Sequence, residues 1–221
     1  MKRHILTIAL ALLAATASGQ VKDWAQTNRY EQENAELKAS GIKPETVFFG
    51  DSITAGWYRI DKDFFTDNGF IGRGISGQTT CEALVRMRQD VIDLHPRTVV
   101  ILIGVNDIAM NNGPVTKKTS LGNIISMCEL AKANRIKPIL CSLLPASRFR
   151  WRPELTPAED VREFNEMLKE YARKAHITYV DYYPSLTDER GGVAPEYSED
   201  TVHPNLDGYR IMEGIIMKYL K

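Results

Sequence analysis

The sequence predicts an α/β fold in which five parallel strands carry helices on both faces. Three observations lead there. Apolar runs of strand length alternate with amphipathic stretches of helix length, the pattern of successive βαβ units. The chain has 221 residues, 43% hydrophobic and 25% charged, enough to bury one core and unlike a disordered or collagenous composition. No internal repeat or low-complexity linker divides it.

The strand-length runs are residues 46–49, 70–75, 98–103, 138–144 and 177–182. The third, Thr98-Val99-Val100-Ile101-Leu102-Ile103, is apolar on both faces, as a strand covered by helices on both sides requires. Helical patterns fill 79–94, 116–134, 157–175 and 206–220, and a polar helix over 23–39 leads in. In such a sheet, ligands sit beyond the carboxyl ends of the strands, where strand order reverses. Chemistry is therefore sought in the loop that follows each strand.

Residues 1–19 are expected to lie outside the fold. Lys2, Arg3 and His4 form a basic start, 5–15 an apolar run, and Ala15-Thr16-Ala17 a small-residue cleavage pattern, together a secretory signal peptide. The predicted product is an exported single domain, 20–221, periplasmic or secreted. The apolar run is shorter than the roughly 20 residues of a membrane-spanning helix, so no integral membrane association is expected. No cysteine follows that run, which argues against a lipid anchor.

Lys plus Arg and Asp plus Glu number 28 each, and loss of Lys2 and Arg3 leaves 26 basic residues against 28 acidic. Such a balance supplies no field that would draw nucleic acid or an anionic membrane. Cys81, Cys128 and Cys141 lack CxxC spacing, so neither a disulfide scaffold nor a zinc site is indicated. They read as three small buried side chains, with one pair plus a free thiol as the alternative.

The first strand leads into Gly50-Asp51-Ser52, where a serine on a glycine-containing turn can expose its hydroxyl, or serve simply as a helix N-cap. The second leads into Gly74-Ile75-Ser76-Gly77, where glycine allows close backbone approach. The third ends in Gly104-Val105-Asn106-Asp107, an uncharged amide donor or an Asx turn. Ahead of the last helix stands Asp200-Thr201-Val202-His203-Pro204, in which a carboxylate three residues before an imidazole can hold one ring N–H and leave the other nitrogen as a base. His95 and His176 have no such neighbour and read as structural. Asp51 and Asp107 read as residues that hydrogen-bond their own loops. No Gly-x-Ser-x-Gly elbow is present, which excludes the α/β-hydrolase arrangement.

Taken together, Gly50-Asp51-Ser52-Ile53, Gly77, Gly104-Val105-Asn106-Asp107 and Asp200-Thr201-Val202-His203-Pro204 resemble the motif blocks of the SGNH, or GDSL-type, hydrolases, across nearly the whole mature chain. Only Ile53 departs from the literal GDSL string. The chain looks similar to exported bacterial members related to platelet-activating-factor acetylhydrolases and carbohydrate esterases. The resemblance implies a three-layer α/β/α sandwich with a flavodoxin-like five-stranded parallel sheet. It implies Ser52 as nucleophile, His203 as general base and Asp200 as its orienting acid. The oxyanion hole would come from the Ser52 N–H, the Gly77 N–H and the Asn106 side chain. This chemistry needs neither metal nor organic cofactor.

Substrate contacts are expected from Ser147-Arg148-Phe149-Arg150-Trp151-Arg152, on a loop that should overhang the site. Arg148 and Arg150 suit a carboxylate or phosphate, and Trp151 a sugar face. The alternative is a solvated loop whose tryptophan packs on the core and whose arginines pair with Glu154 or Asp160. Trp57 and Tyr58 carry the same two readings. No long apolar stretch marks a deep acyl channel, so the expected substrate is a small-molecule or glycan ester with a short acyl group, acetyl above all. The alternatives are a lipid-directed esterase, lysophospholipase or thioesterase using the same residues, and a catalytically silent carbohydrate-binding module. Oligomeric state is not encoded in any of these motifs.

Overall fold

The computed structural model describes residues 23–220; the expected signal peptide lies outside them. Five parallel strands form one sheet in the order β2-β1-β3-β4-β5. They are β1 (Thr46–Gly50), β2 (Phe70–Gly74), β3 (Thr98–Leu102), β4 (Lys137–Cys141) and β5 (Thr178–Val180). Every residue of β1 and β3 is buried, which explains their near-continuous apolar runs.

Helices α1 (Glu31–Ser40), α2 (Ser52–Ile60), α3 (Lys62–Asp67), α4 (Thr80–Asp90) and α5 (Val105–Ile108) fill the first half. The second half contains α6 (Lys117–Ala133), α7 (Ala158–Lys174), α8 (Tyr183–Leu186) and α9 (Leu206–Ile216). Helix α4 packs on α6 and α6 on α7, while α2 and α8 both pack on α9. On α7 the buried Val161, Phe164, Asn165, Leu168 and Ala172 repeat at helical spacing and form its inner face. Helix starts follow local chemistry: Thr79 and Glu82 make a reciprocal capping box on α4, and the Asn205 side chain accepts from the Gly208 N–H of α9.

The fold class and all five strands are as the sequence predicts; the differences are local. The runs over 138–144 and 177–182 are longer than β4 and β5, because Leu143 and Leu144 stay buried after the chain has left the sheet. The leading helix begins only at Glu31, after a series of turns. Helices α2 and α3, not predicted, fold back between β1 and β2 around Phe65, which is fully buried. Cys128 and Cys141 are buried, and burial pushes both thiols up to about 12. Cys81 corrects the expectation: it is exposed in the first turn of α4, with its sulfur 3.1 Å from Thr79 Oγ1.

The chain moves from β1 outward to β2, then returns to the other side of β1 to lay down β3. Gly50 pairs with both Gly74 and Leu102, so the carboxyl ends of these three strands are level. The loops carrying Ser52, Gly77 and Asn106 thereby emerge together at the point where strand order reverses.

Candidate active site

At Gly50 a side chain would strike the Leu102 carbonyl oxygen and the Thr54 hydroxyl, so the close passage of β1 against β3 and α2 needs glycine. The turn that follows is capped by Asp51, whose Oδ1 accepts from the Ile53 N–H at 3.0 Å. The N-cap role therefore falls to Asp51, and the Ser52 hydroxyl is left free for other partners. Asp51 is fully buried with Oδ2 unpartnered, and burial pushes its carboxyl up to about 7.

Beneath this turn lies Arg86, a fully buried cation of α4. Its guanidinium donates to the carbonyl oxygens of Gly50 (2.8 Å) and Arg73 (2.9 Å), to Gln78 Oε1 (2.6 Å) and to Asp90 Oδ2 (2.9 Å). One side chain thus braces the ends of β1 and β2 and the residue after Gly77. Four hydrogen bonds, one of them to a carboxylate, make burial of that charge tolerable.

The opposite side of the site is a short segment ahead of α9. Asp200 Oδ1 accepts from the backbone N–H groups of His203 (2.8 Å) and Val202 (3.0 Å) and from the Ser198 hydroxyl (3.1 Å). Its Oδ2 lies 2.7 Å from His203 Nδ1, and His203 Nε2 lies 2.9 Å from Ser52 Oγ. A carboxylate on Nδ1 fixes the proton there, which leaves Nε2 as acceptor for the serine hydroxyl. Partial burial opposes ionisation of Asp200, but the bonds from the His203 ring and from the two backbone N–H groups outweigh it and hold the carboxyl well below the usual carboxylate range. The same Asp200 bond raises the His203 pKa, against the opposing effect of desolvation.

Gly77 adopts φ +80°, a left-handed turn suited to glycine. Among the described residues, neither its N–H nor that of Ser52 has a hydrogen-bond acceptor. Asn106, 2% exposed, donates one amide hydrogen to the Gln78 carbonyl at 3.0 Å and keeps the second. Asp107 accepts from the Thr80 N–H and hydroxyl and from the Ser120 hydroxyl. It is a loop anchor, like Asp51.

A groove of about 640 Å³ runs from Ser52 and His203 between α1 and α2, past Arg29, Tyr30, Tyr58 and Arg59. Trp57 is not part of it, which corrects the expectation of a substrate contact. It is 1% exposed, stacked on Phe64 and Tyr209, with its indole N–H on Glu213 at 2.9 Å. Ser52 and Trp57 occupy different faces of α2, and the tryptophan face is turned into the core.

Trp151 is 41% exposed, its ring centroid 6.1 Å from that of His203. Arg148 is exposed, and its carbonyl accepts from the Thr201 hydroxyl; exposed Arg150 donates to the Glu199 carbonyl at 2.5 Å. Both therefore flank the Asp200 segment. Of the loop's three arginines, Arg152 pairs with Glu154 at 3.8 Å, while Asp160 pairs with Lys117. Tyr30 and Arg59 entered no sequence motif: they reach the groove through helix packing, which leaves no trace in spacing. No cluster of three metal-ligating side chains occurs among the described residues. Nor is any described helix long and apolar enough to cross a membrane.

The fold and the motif order have counterparts among known proteins. A Bacteroides fragilis protein assigned as an acylhydrolase is 47% identical, superposes with a TM-score of 0.86, and covers 90% of this chain and 97% of its own. Esterase TesA of Pseudomonas aeruginosa is 25% identical over 75% of this chain and 83% of its own length. An acetylxylan esterase of Geobacillus stearothermophilus shares the fold at 20% identity and a TM-score of 0.62, over 79% of this chain and 93% of its own. The sequence pattern of the GDSL-like Lipase/Acylhydrolase family matches residues 48–211, a span that includes every residue of the Ser52–His203–Asp200 line; the chain belongs to that family of ester-bond hydrolases.

Proposed function

We propose that the protein is an exported serine esterase that removes short acyl groups, acetyl above all, from a carbohydrate or similar polar carrier. The observation that carries this is the continuous line from Ser52 Oγ to His203 Nε2 and from His203 Nδ1 to Asp200 Oδ2, at 2.9 and 2.7 Å. Ser52 attacks the ester carbonyl carbon as Nε2 takes its proton. The tetrahedral oxyanion is received by the Ser52 and Gly77 N–H groups and the free amide hydrogen of Asn106. His203 then returns the proton to the departing alcohol as the C–O bond breaks. Water, deprotonated by the same Nε2, releases the acyl group as a carboxylic acid and restores Ser52. Asp200 keeps the imidazole in the required tautomer and stabilises its charged form.

The polar carrier is favoured by the open groove, whose walls mix tyrosine and arginine instead of presenting an aliphatic tunnel. Trp151 offers an exposed ring beside His203 for a sugar face, and Arg148 and Arg150 offer cations for polar substituents. The acetylxylan esterase shares this fold. Export rests on the basic, apolar and small-residue pattern over 1–19.

The test is hydrolysis of p-nitrophenyl esters from acetate to decanoate, with Ser52→Ala run in parallel. Expected is turnover greatest on acetate, falling with chain length and lost by about ten-thousandfold or more in the variant. A maximum at long chains would assign the site to lipids. Equal activity in Ser52→Ala would remove the serine mechanism.

A further inference from the structure

We propose that Asn111 is a positioning residue that sets two of the three oxyanion donors, and that Trp151 ties it to the substrate-facing loop. This rests on the oxyanion hole proposed above, but Asn111 belongs to none of the motif blocks. It stands in the turn after α5, following Met110, which takes a left-handed φ of +53°.

Asn111 grips Asn106 twice. Its backbone N–H donates to the Asn106 carbonyl at 3.0 Å, and its Nδ2 donates to Asn106 Oδ1 at 2.8 Å. The same Nδ2 donates to the Gly77 carbonyl at 3.2 Å. Its own Oδ1 accepts the indole N–H of Trp151 at 3.0 Å. The next residue of that loop, Arg152, donates to the Met110 carbonyl at 3.1 Å, a second tie to the same turn.

The chemistry of the partners dictates both amide orientations. An indole nitrogen only donates, so the Asn111 atom facing Trp151 is the oxygen, and the atom facing the Gly77 carbonyl is the nitrogen. That nitrogen must then meet the oxygen of Asn106. Asn106 in turn presents its nitrogen to the Gln78 carbonyl, and its remaining N–H is the one available to an oxyanion. A flip of either amide would set oxygen against oxygen or nitrogen against nitrogen. Asn111 thus performs for Asn106 what Asp200 performs for His203: it selects one orientation of a group that could face two ways. The bond to the Gly77 carbonyl holds the Gly77–Gln78 peptide plane, and so restrains the turn, one residue's φ and ψ away, that aims the Gly77 N–H. Trp151 completes the chain from the exposed loop to the donors.

The test uses the full-length mature protein with Asn106→Ala, Asn111→Ala, Asn111→Asp and Trp151→Phe. Read-outs are kcat and KM on p-nitrophenyl acetate, the inhibition constant of phenylboronic acid, whose serine adduct occupies the oxyanion hole, and Tm. Loss of a whole donor costs about a hundred- to a thousandfold; a donor left unoriented should cost about ten- to a hundredfold. Asn111→Ala should show that loss in kcat, with KM within about threefold and a parallel loss of boronate affinity. Asn111→Asp has the same shape but no amide donor, so it should be impaired at least as strongly; a residue serving only as a spacer would tolerate it. Trp151→Phe keeps an aromatic ring and removes the N–H, and should lower kcat about two- to tenfold, with no further loss when added to Asn111→Ala.

Wild-type kcat and boronate affinity in both Asn111 variants, beside an impaired Asn106→Ala, would overturn the proposal and leave the esterase mechanism standing. Full additivity of Trp151→Phe with Asn111→Ala would overturn the link to the loop. If Ser52→Ala and Asn106→Ala also keep activity, the failure belongs to the serine mechanism itself.

Discussion

The two sides of the site are built in contrasting ways. The Ser52 side is part of the core: Gly50 is wedged between strands, its carbonyl is held by a fully buried Arg86, and α2 is pinned by Trp57 among Phe48, Phe64, Phe65 and Tyr209. The His203 side holds itself together locally. Asp200 makes its bonds within five residues, to Ser198, Val202 and His203, and the nearby aromatic lip at Trp151 is exposed. Changes to the residues that support Ser52 should therefore appear mainly in stability, and changes to those that support His203 mainly in turnover.

The largest expected effect is on the locally built side. Asp200→Asn keeps size and most of the loop bonds but favours the wrong imidazole tautomer, and should lower kcat by about ten-thousandfold. Tm should move by only a few degrees. A loss of folding instead would show that Asp200 is as structural as Arg86, and the contrast would fail. Next, Arg86→Ala removes the ion-pair partner of Asp90, which among the described residues keeps only the Asn34 amide, and takes one donor each from the Arg73 carbonyl and from the Gly50 carbonyl, which keeps the Ile75 N–H. Breaking a buried pair in this way costs about 3–5 kcal/mol, or a fall in Tm of about 6–20 °C for a domain of this size. Turnover per folded molecule should change far less than in Asp200→Asn, and thermal unfolding beside active-site titration separates the two quantities.

A pH profile sharpens the comparison at lower cost in energy. In the proposed mechanism His203 must be neutral to take the Ser52 proton, and Asp200 raises its pKa. Activity is therefore expected at high pH and should be lost as pH falls through a midpoint above the usual imidazole value of about 6.5. In Asp200→Asn the residual activity should shift its midpoint downward; an unshifted limb would assign it to another group. The smallest effect is Arg150→Ala, which removes an exposed guanidinium from the Glu199 carbonyl. Stability should stay within about 0.5 kcal/mol. The KM for an acetylated oligosaccharide should rise, while that for p-nitrophenyl acetate should not.

Legibility in the sequence divides along physical lines. The strands announce themselves because burial on both faces demands unbroken apolar runs, as in Thr98 to Leu102. Ser52, Gly77, Asn106, Asp200 and His203 were legible because each sits in a short motif beside a strand end or helix start. The paired tryptophans mark the limit. Trp57 and Trp151 carried the same two readings in sequence, and in the structure one is 1% exposed and the other 41%. Which face of α2 turns inward depends on what packs there, and α9 arrives from the far end of the chain to supply Tyr209. Arg86 is the converse case: no sequence motif marks it, yet its guanidinium reaches acceptors on Gly50, Arg73, Gln78 and Asp90.

What the sequence alone determined was the parallel α/β layering and the identity of the residues that meet at the sheet's edge, because hydrophobic period and short-range motifs are properties of neighbours along the chain. Only the tertiary structure decided which aromatic ring is exposed beside His203, which arginine is buried, and which amide holds Asn106. Those outcomes are set by hydrogen bonds and packing between segments distant in sequence, and no local pattern records them.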